Sequence, residues 1–350
     1  MALTRRGKAA IGGATAVVVI GAGALVFAGK APAPIQRALD TVTGRTPPPT
    51  CPLTGNQTAT GEAAPARPLL AVKVENTTLA YPLSGLDDAD MVYEEVVEGG
   101  ITRFVALYHC ADSERIGPVR SARTTDPRIL EQFQQRPLLG YSGGAPKVVK
   151  GLVDAGVEQI TEASAPEAFE RDDAREAPHN LFTSTSPLWK AGEALVEDAG
   201  APRGVFEFDE EVPEGAKAAS SVSIVFSDLS RTGWVWDAGQ WTRKHDGGPF
   251  ELENGEPVTA TNVVIQRVEV ATDTIVDASG SHSPIVTMTG TGKAVVFRDG
   301  KVIYGTWTRP AETDLTVFRT KSGDEITLAP GVTWVELVPT DGRVKVAGRR

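Results

Sequence analysis

Leu69-Leu70-Ala71-Val72-Lys73-Val74, then Met91 to Val97 and Ile101 to Cys110, are the segments on which the fold turns. Each is a short, mainly apolar run, which predicts a strand. Interleaved with and following them, Pro127 to Gln135, Ala145 to Ala155 and Pro187 to Asp198 carry helical spacing. That alternation predicts a mixed α/β sheet over residues 69–205. From about residue 219 the pattern changes to strands almost throughout. Val222 to Phe226, Gly233 to Arg243, Asn262 to Val270, Ile285 to Met288, Lys293 to Arg298, Lys301 to Trp307 and Thr333 to Val338 qualify. Arg298-Asp299-Gly300-Lys301 reads as a hairpin, because Asp-Gly accepts positive φ at both turn positions. The Pro/Gly-rich Gly200 to Lys217 is the expected boundary, and a mostly antiparallel β domain is expected over 218–345. The fold class is therefore α+β.

Upstream, charge is unevenly distributed. The chain of 350 residues carries 35 Lys+Arg against 45 Asp+Glu, a net charge of −10. Residues 1–45 hold Arg5, Arg6, Lys8, Lys30, Arg37 and Arg45 against Asp40, a local +5, so the remainder carries −15. Inside the basic segment, residues 9–29 form an uncharged, mainly apolar run (29 − 9 + 1 = 21 residues). At about 1.5 Å per helical residue it spans about 30 Å, the thickness of a hydrocarbon core. A short basic tail over 1–8 and a transmembrane anchor over 9–29 are expected. The positive residues stay inside, which puts the folded part outside the cytoplasmic membrane. A cleaved signal peptide is the alternative, since Val17 to Phe27 has the length of a signal h-region.

Residues 30–68, rich in Pro, Thr and Ala, read as a stalk. In an oxidising compartment Cys51 and Cys110, the two cysteines of the chain, are expected to form a disulfide.

An acidic chain without a basic, aromatic-laced stripe excludes nucleic acid as an expected partner. Two cysteines are too few for a thiolate zinc site; no metal and no cofactor is expected. The candidate chemistry lies mostly in the first domain. Glu94, Glu95 and Glu98 could act as acid and base or bind a hard cation, with a solvated strand end as the plain alternative. Arg120 and Arg123, in Ile116-Gly117-Pro118-Val119-Arg120-Ser121-Ala122-Arg123, precede Thr124 and Thr125, candidate caps of the helix near Pro127. Arginine forks beside a helix N-terminus suit a carboxylate or phosphate, unless they pair with Glu94, Glu98 or Asp126. Tyr141-Ser142-Gly143-Gly144-Ala145-Pro146-Lys147 lacks the spacing of a nucleotide fingerprint. Arg171-Asp172-Asp173 and Ala177-Pro178-His179-Asn180 add Asp172, Asn180 and one imidazole, His179, a possible general base. Gly-x-Ser-x-Gly and His-Glu-x-x-His motifs are absent. Trp234 and Trp236 share one strand face, suiting either a stacking platform or a core.

Several of these strings resemble the YerB-like lipoprotein family. They are Ser84-Gly85-Leu86-Asp87-Asp88-Ala89-Asp90-Met91-Val92-Tyr93-Glu94-Glu95, Glu98 to Phe104, Ile116 to Arg123 and Ala177 to Leu181. Asn262 to Gln266, Gly305-Thr306-Trp307 and Pro330 to Trp334 do so in the second half. The resemblance covers roughly residues 69–339. It implies an extracytoplasmic, membrane-attached, two-domain protein associated with the cell envelope, and it supplies no catalytic residues. Its motifs coincide with Glu94, Glu98, Arg103, Arg120, Arg123, His179 and Asn180. The expectation is a membrane-anchored binding protein presenting Arg103, Arg120 and Arg123, balanced by Glu94 and Glu98, to an anionic envelope ligand or a partner protein. A hydrolase using Glu94 or Glu98 with His179, and a scaffold presenting the Trp face, are the alternatives.

Overall fold

Three successive strands of the first half are buried along their whole length: β1 (Leu70–Val74), β2 (Met91–Val96) and β3 (Thr102–Tyr108). A strand covered on both faces cannot keep polar side chains in water, so each charge it carries must find a partner inside. Lys73, Glu94, Glu95 and Arg103 all lie on these strands. The computed structural model describes residues 48–58, 61–196, 200–245, 248–276 and 280–348. The expected anchor, residues 9–29, lies outside them. Among the described residues no helix is long and apolar enough to cross a membrane.

The first half continues with β4 (Leu138–Gly140), β5 (Glu158–Ile160), β6 (Phe169–Arg171) and β7 (Leu181–Thr183). Its helices are α1 (Asp126–Leu130), α2 (Pro146–Asp154) and α3 (Thr185–Glu193), shorter than the helical spacings suggested. Proline opens α2 at a position that needs no N–H, Val148 and Leu152 face the core, and Gly156 at φ +68° ends it.

The second half contributes β8 (Lys217–Ala218), β9 (Ser221–Val225), β10 (Arg231–Asp237), β11 (Gln240–His245), β12 (Gly248–Pro249), β13 (Thr259–Ala260) and β14 (Asn262–Val268). After these come β15 (Val270–Val276), β16 (His282–Val286), β17 (Gly290–Arg298), β18 (Lys301–Arg309), β19 (Val317–Thr320), β20 (Thr333–Pro339) and β21 (Arg343–Ala347). The single strand expected over Gly233 to Arg243 is a hairpin of two, turned at Ala238-Gly239, where φ is +48° and +88°. Asn262 to Val270 likewise divides, with Val270 opening a separate hairpin, β15–β16. The Asp299-Gly300 turn forms as read, with φ of +51° and +65°.

The halves meet in one sheet. Its order is β19-β18-β17-β14-β20-β2-β3-β1-β4-β5, with β8 on β18. Strand β20 runs parallel to both β14 and β2, so the second half is spliced onto the first through backbone hydrogen bonds. A second sheet, β12-β11-β10-β9-β21 with β13 on β11, is antiparallel throughout. The fold is thus mostly sheet with few helices.

One compact unit begins at Pro49 and takes in the rest of the described chain. The far end of the expected stalk is therefore packed against the body. Leu53 is buried, and the Arg67 guanidinium lies 3.4 Å from the centre of the Trp189 ring. Cys51 and Cys110 form a disulfide across a sequence separation of 59, with Cα atoms 6.0 Å apart. Closing a loop of that length contributes roughly 4 kcal/mol in the chain-entropy account. Trp234, Trp241 and Trp307 are buried and Trp236, half-buried, packs against the same core, so these rings serve packing rather than an exposed platform.

Candidate functional site

Alternation along β2 sends Glu94 and Glu95 to opposite faces, and each meets a cation there. Glu95 and Asp126 both accept from Lys73 Nζ, Asp126 at 2.6 Å. All three side chains are out of contact with solvent. Burial pushes the Glu95 carboxyl up to about 6; Lys73 opposes that shift and Asp126 adds to it. On the other face Glu94 accepts from Arg243 Nη2 at 2.6 Å, from Thr102 Oγ1 at 2.6 Å and from Asn76 Nδ2 at 3.1 Å. Arg243 also reaches Glu336 at 3.2 Å, and Trp234 Nε1 donates to Glu336 at 2.7 Å. Rings of Phe104, Trp234, Phe250 and Trp334 surround the Arg243 guanidinium at 5.0–5.5 Å. Burial, then Glu94, raises the Glu336 carboxyl well above its ordinary range.

Glu94 therefore does not balance Arg120 and Arg123, as the sequence suggested. It belongs to a buried cluster that joins β2, β11 and β20.

The arginines gather at the end of the sheet. Past β2 the chain turns through Glu98-Gly99-Gly100, where φ of +71° and +75° at the two glycines permits the reversal into β3. The turn leaves Glu98 beside Arg103, the second residue of β3. The loop bearing Arg120 and Arg123 is pinned along β1 and the loop after β4. Arg120 N–H donates to Lys73 O at 2.8 Å, Ser142 N–H to Arg120 O at 2.9 Å, and Ala122 N–H to Gly143 O at 3.0 Å. Asp126 finishes the placement by accepting the Arg123 N–H at 2.6 Å while it holds Lys73. The buried Lys73 cluster thereby fixes the loop that carries the arginines.

Glu98, Arg103, Arg120, Ser121, Arg123 and Ser283 line part of a cavity of about 340 Å³, with Gly144, Ala145, Val148 and Ile275 on its other walls. Arg123 Nε pairs with Glu98, whose second oxygen accepts from Ser283 Oγ at 2.5 Å. Arg120 Nε stands 3.4 Å from Glu75. Arg103 is 5% exposed and meets the protein through Nη1 at Ser121 O, 3.1 Å away; its Nε is buried without a partner. Burial first, then the nearby Arg123 and Arg120, lower its guanidinium to about 10. The α2 helix starts at this cavity, with Ala145 as its N-cap and no side-chain cap. Thr125 precedes α1 without making a cap bond either, and α1 is five residues long, so the helix terminus beside the arginines is that of α2.

The other sequence candidates lie elsewhere. His179 Nδ1 is 2.9 Å from Glu75 Oε2, outside the cavity lining but joined to Arg120 through that carboxylate. Asn180 accepts from Arg171 at 3.0 Å, and Asp172 pairs with Arg115 at 2.7 Å. Among the described residues no group of three or more His, Cys, Asp or Glu side chains is placed to hold a metal ion. Sequence reading overlooked Lys73, Glu75, Arg243 and Glu336. The signal for two of them was a lone charge inside an apolar strand, at Lys73 and at Glu336.

A mixed sheet, a buried acidic cluster and an arginine-lined cavity define a two-part sheet protein with a polar recess. Family models agree with the two parts: residues 53–198 match the N-terminal domain, and residues 222–335 the C-terminal domain, described as protein of unknown function (DUF3048). The chain belongs to this DUF3048, YerB-like family. It is 30% identical over 295 residues to the Bacillus subtilis (strain 168) chain described as "Putative lipoprotein YerB", covering 82% of this chain and 86% of that one. The crystal structure of YerB protein from Bacillus subtilis superposes with a TM-score of 0.71 at 27% identity, covering 85% of this chain and 99% of that one.

Proposed function

We propose that this chain is a membrane-attached, extracytoplasmic binding protein of the cell envelope whose arginine-lined cavity takes an anionic ligand. Attachment is supported by the basic and apolar N-terminal pattern and by the lipoprotein description of the Bacillus relative. The disulfide fits an oxidising compartment. The observation that carries the binding reading is Arg103: a guanidinium 5% exposed, lining a cavity, with a buried Nε that no protein group meets. An unmatched buried cation is costly, and an incoming anion relieves that cost. Binding is favoured over hydrolysis because both Glu98 oxygens are engaged, by Arg123 and Ser283, and His179 does not line the cavity.

The test is calorimetric titration of the full chain with a panel of small anions. Losing a hydrogen bond to a charged group costs about 1.5–3 kcal/mol, so Arg103→Gln should weaken binding about tenfold or more. Arg120→Gln should weaken it as well. Undiminished binding in both variants overturns the proposal.

A further inference from the structure

Each guanidinium of the cavity is braced by the protein and keeps one edge uncommitted. Arg103 donates through Nη1 to Ser121 O, and Arg120 through Nη1 to Pro178 O at 3.0 Å. Arg123 uses Nε on Glu98 and Nη1 on the carbonyls of Ser121 and Ala122, at 3.1 and 3.0 Å. Among the described residues, Nη2 of all three has no hydrogen-bond acceptor. Bracing at one edge fixes the direction of the other, the arrangement a preorganised anion site requires.

Charge sets the valence of the ligand. Three guanidiniums face two carboxylates, Glu98 and Glu75, which leaves an excess of one positive charge. One negative charge neutralises the recess, and a dianion would overshoot beside Glu98. Geometry selects among monoanions. A carboxylate sets its lone pairs in one plane, and two guanidinium forks fill them. Here the donors are three guanidiniums, from β3 and from the 120–123 loop, with the uncapped start of α2 as a further anion-favouring wall. A tetrahedral phosphoryl centre offers oxygens in several directions and suits that set. The volume of about 340 Å³ exceeds a bare anion, and Val148 and Ile275 supply apolar wall for ester carbons.

We infer that the ligand is a phosphodiester, held through its non-bridging oxygens by Arg103, Arg120 and Arg123. This rests on the anion-binding reading above and narrows it.

The full chain is titrated with glycerophosphoglycerol, inorganic phosphate and acetate at constant ionic strength. The diester should bind at least tenfold more tightly than acetate and more tightly than inorganic phosphate. Both Arg103→Gln and Arg120→Gln should reduce the diester affinity about tenfold, with unchanged circular dichroism showing that each variant is folded. Acetate or phosphate binding as tightly as the diester, and lost in both variants, overturns the phosphodiester assignment and leaves the anion pocket standing. Absence of binding by all three probes, or binding indifferent to both substitutions, overturns the two together.

Discussion

Charged side chains meet in opposite proportions in two parts of this molecule. Across β2 carboxylates are in excess: Lys73 serves Glu95 and Asp126 on one face, and Arg243 serves Glu94 and Glu336 on the other. At the end of the sheet arginines are in excess, three against Glu98 and Glu75. The two imbalances are resolved differently because the groups titrate differently. A surplus buried carboxylate can take up a proton, and burial moves Glu95, to about 6, and Glu336 in that direction. A guanidinium has no such exit: even lowered to about 10, Arg103 stays charged at neutral pH. Protons can balance an acid-rich cluster, whereas only anions can balance an arginine-rich one.

The largest effect expected is at the closed cluster. Arg243→Ala strips Glu94 and Glu336 of their cation and removes a side chain packed among four aromatic rings. Breaking a buried pair in this way costs about 3–5 kcal/mol, read as a lowered urea midpoint. A loss under about 1 kcal/mol would show that protons alone hold the cluster, erasing the contrast.

A smaller effect comes from Glu95. Its carboxyl lies at about 6 in the folded chain against 4.5 for the free side chain. The folded state therefore binds the extra proton, and its contribution is fully present below about pH 4.5 and lost as pH rises through about 6. Glu95→Gln should remove that slope from a stability curve measured between pH 4 and 7; parallel curves for the two proteins would refute it.

Arg103→Gln should give the smallest change in stability, within about 1 kcal/mol and toward a more stable protein, since a buried cation whose Nε lacks a partner disappears. The same variant should lose ligand binding. A destabilisation as large as that of Arg243→Ala would place Arg103 with the closed cluster instead.

These contrasts were only partly written in the chain. Period-two alternation separates Glu94 from Glu95, and the Asp299-Gly300 turn is legible because its φ demands are local. Glu98, Arg103, Arg120 and Arg123 stand close enough in sequence to be picked out as a group. The partner of Glu94 is not legible, since Arg243 reaches it from a hairpin far down the chain. That hairpin was itself hidden, because Ala238-Gly239 is a weak turn signal inside an apolar pattern. Nor does any local pattern show that β20 slots between β14 and β2, since parallel pairing is decided by distant segments. Lys73 and Glu336 mark the general lesson: a single charge in an apolar strand points to a buried partner whose position only the tertiary structure supplies.

Strand β20 also imposes an order on biogenesis. It supplies one neighbour of β2, yet it follows β2 by most of the described chain, which is made from the N-terminal side. Until Thr333–Pro339 emerges, β2 has β3 on one side and an open row of backbone donors and acceptors on the other. Glu94 likewise waits for Arg243 and then for β20. The newly made first half is thus an unfinished edge with an unpaired carboxylate beside it. Truncation before Thr333 would preserve that aggregation-prone state rather than yield a shorter working protein.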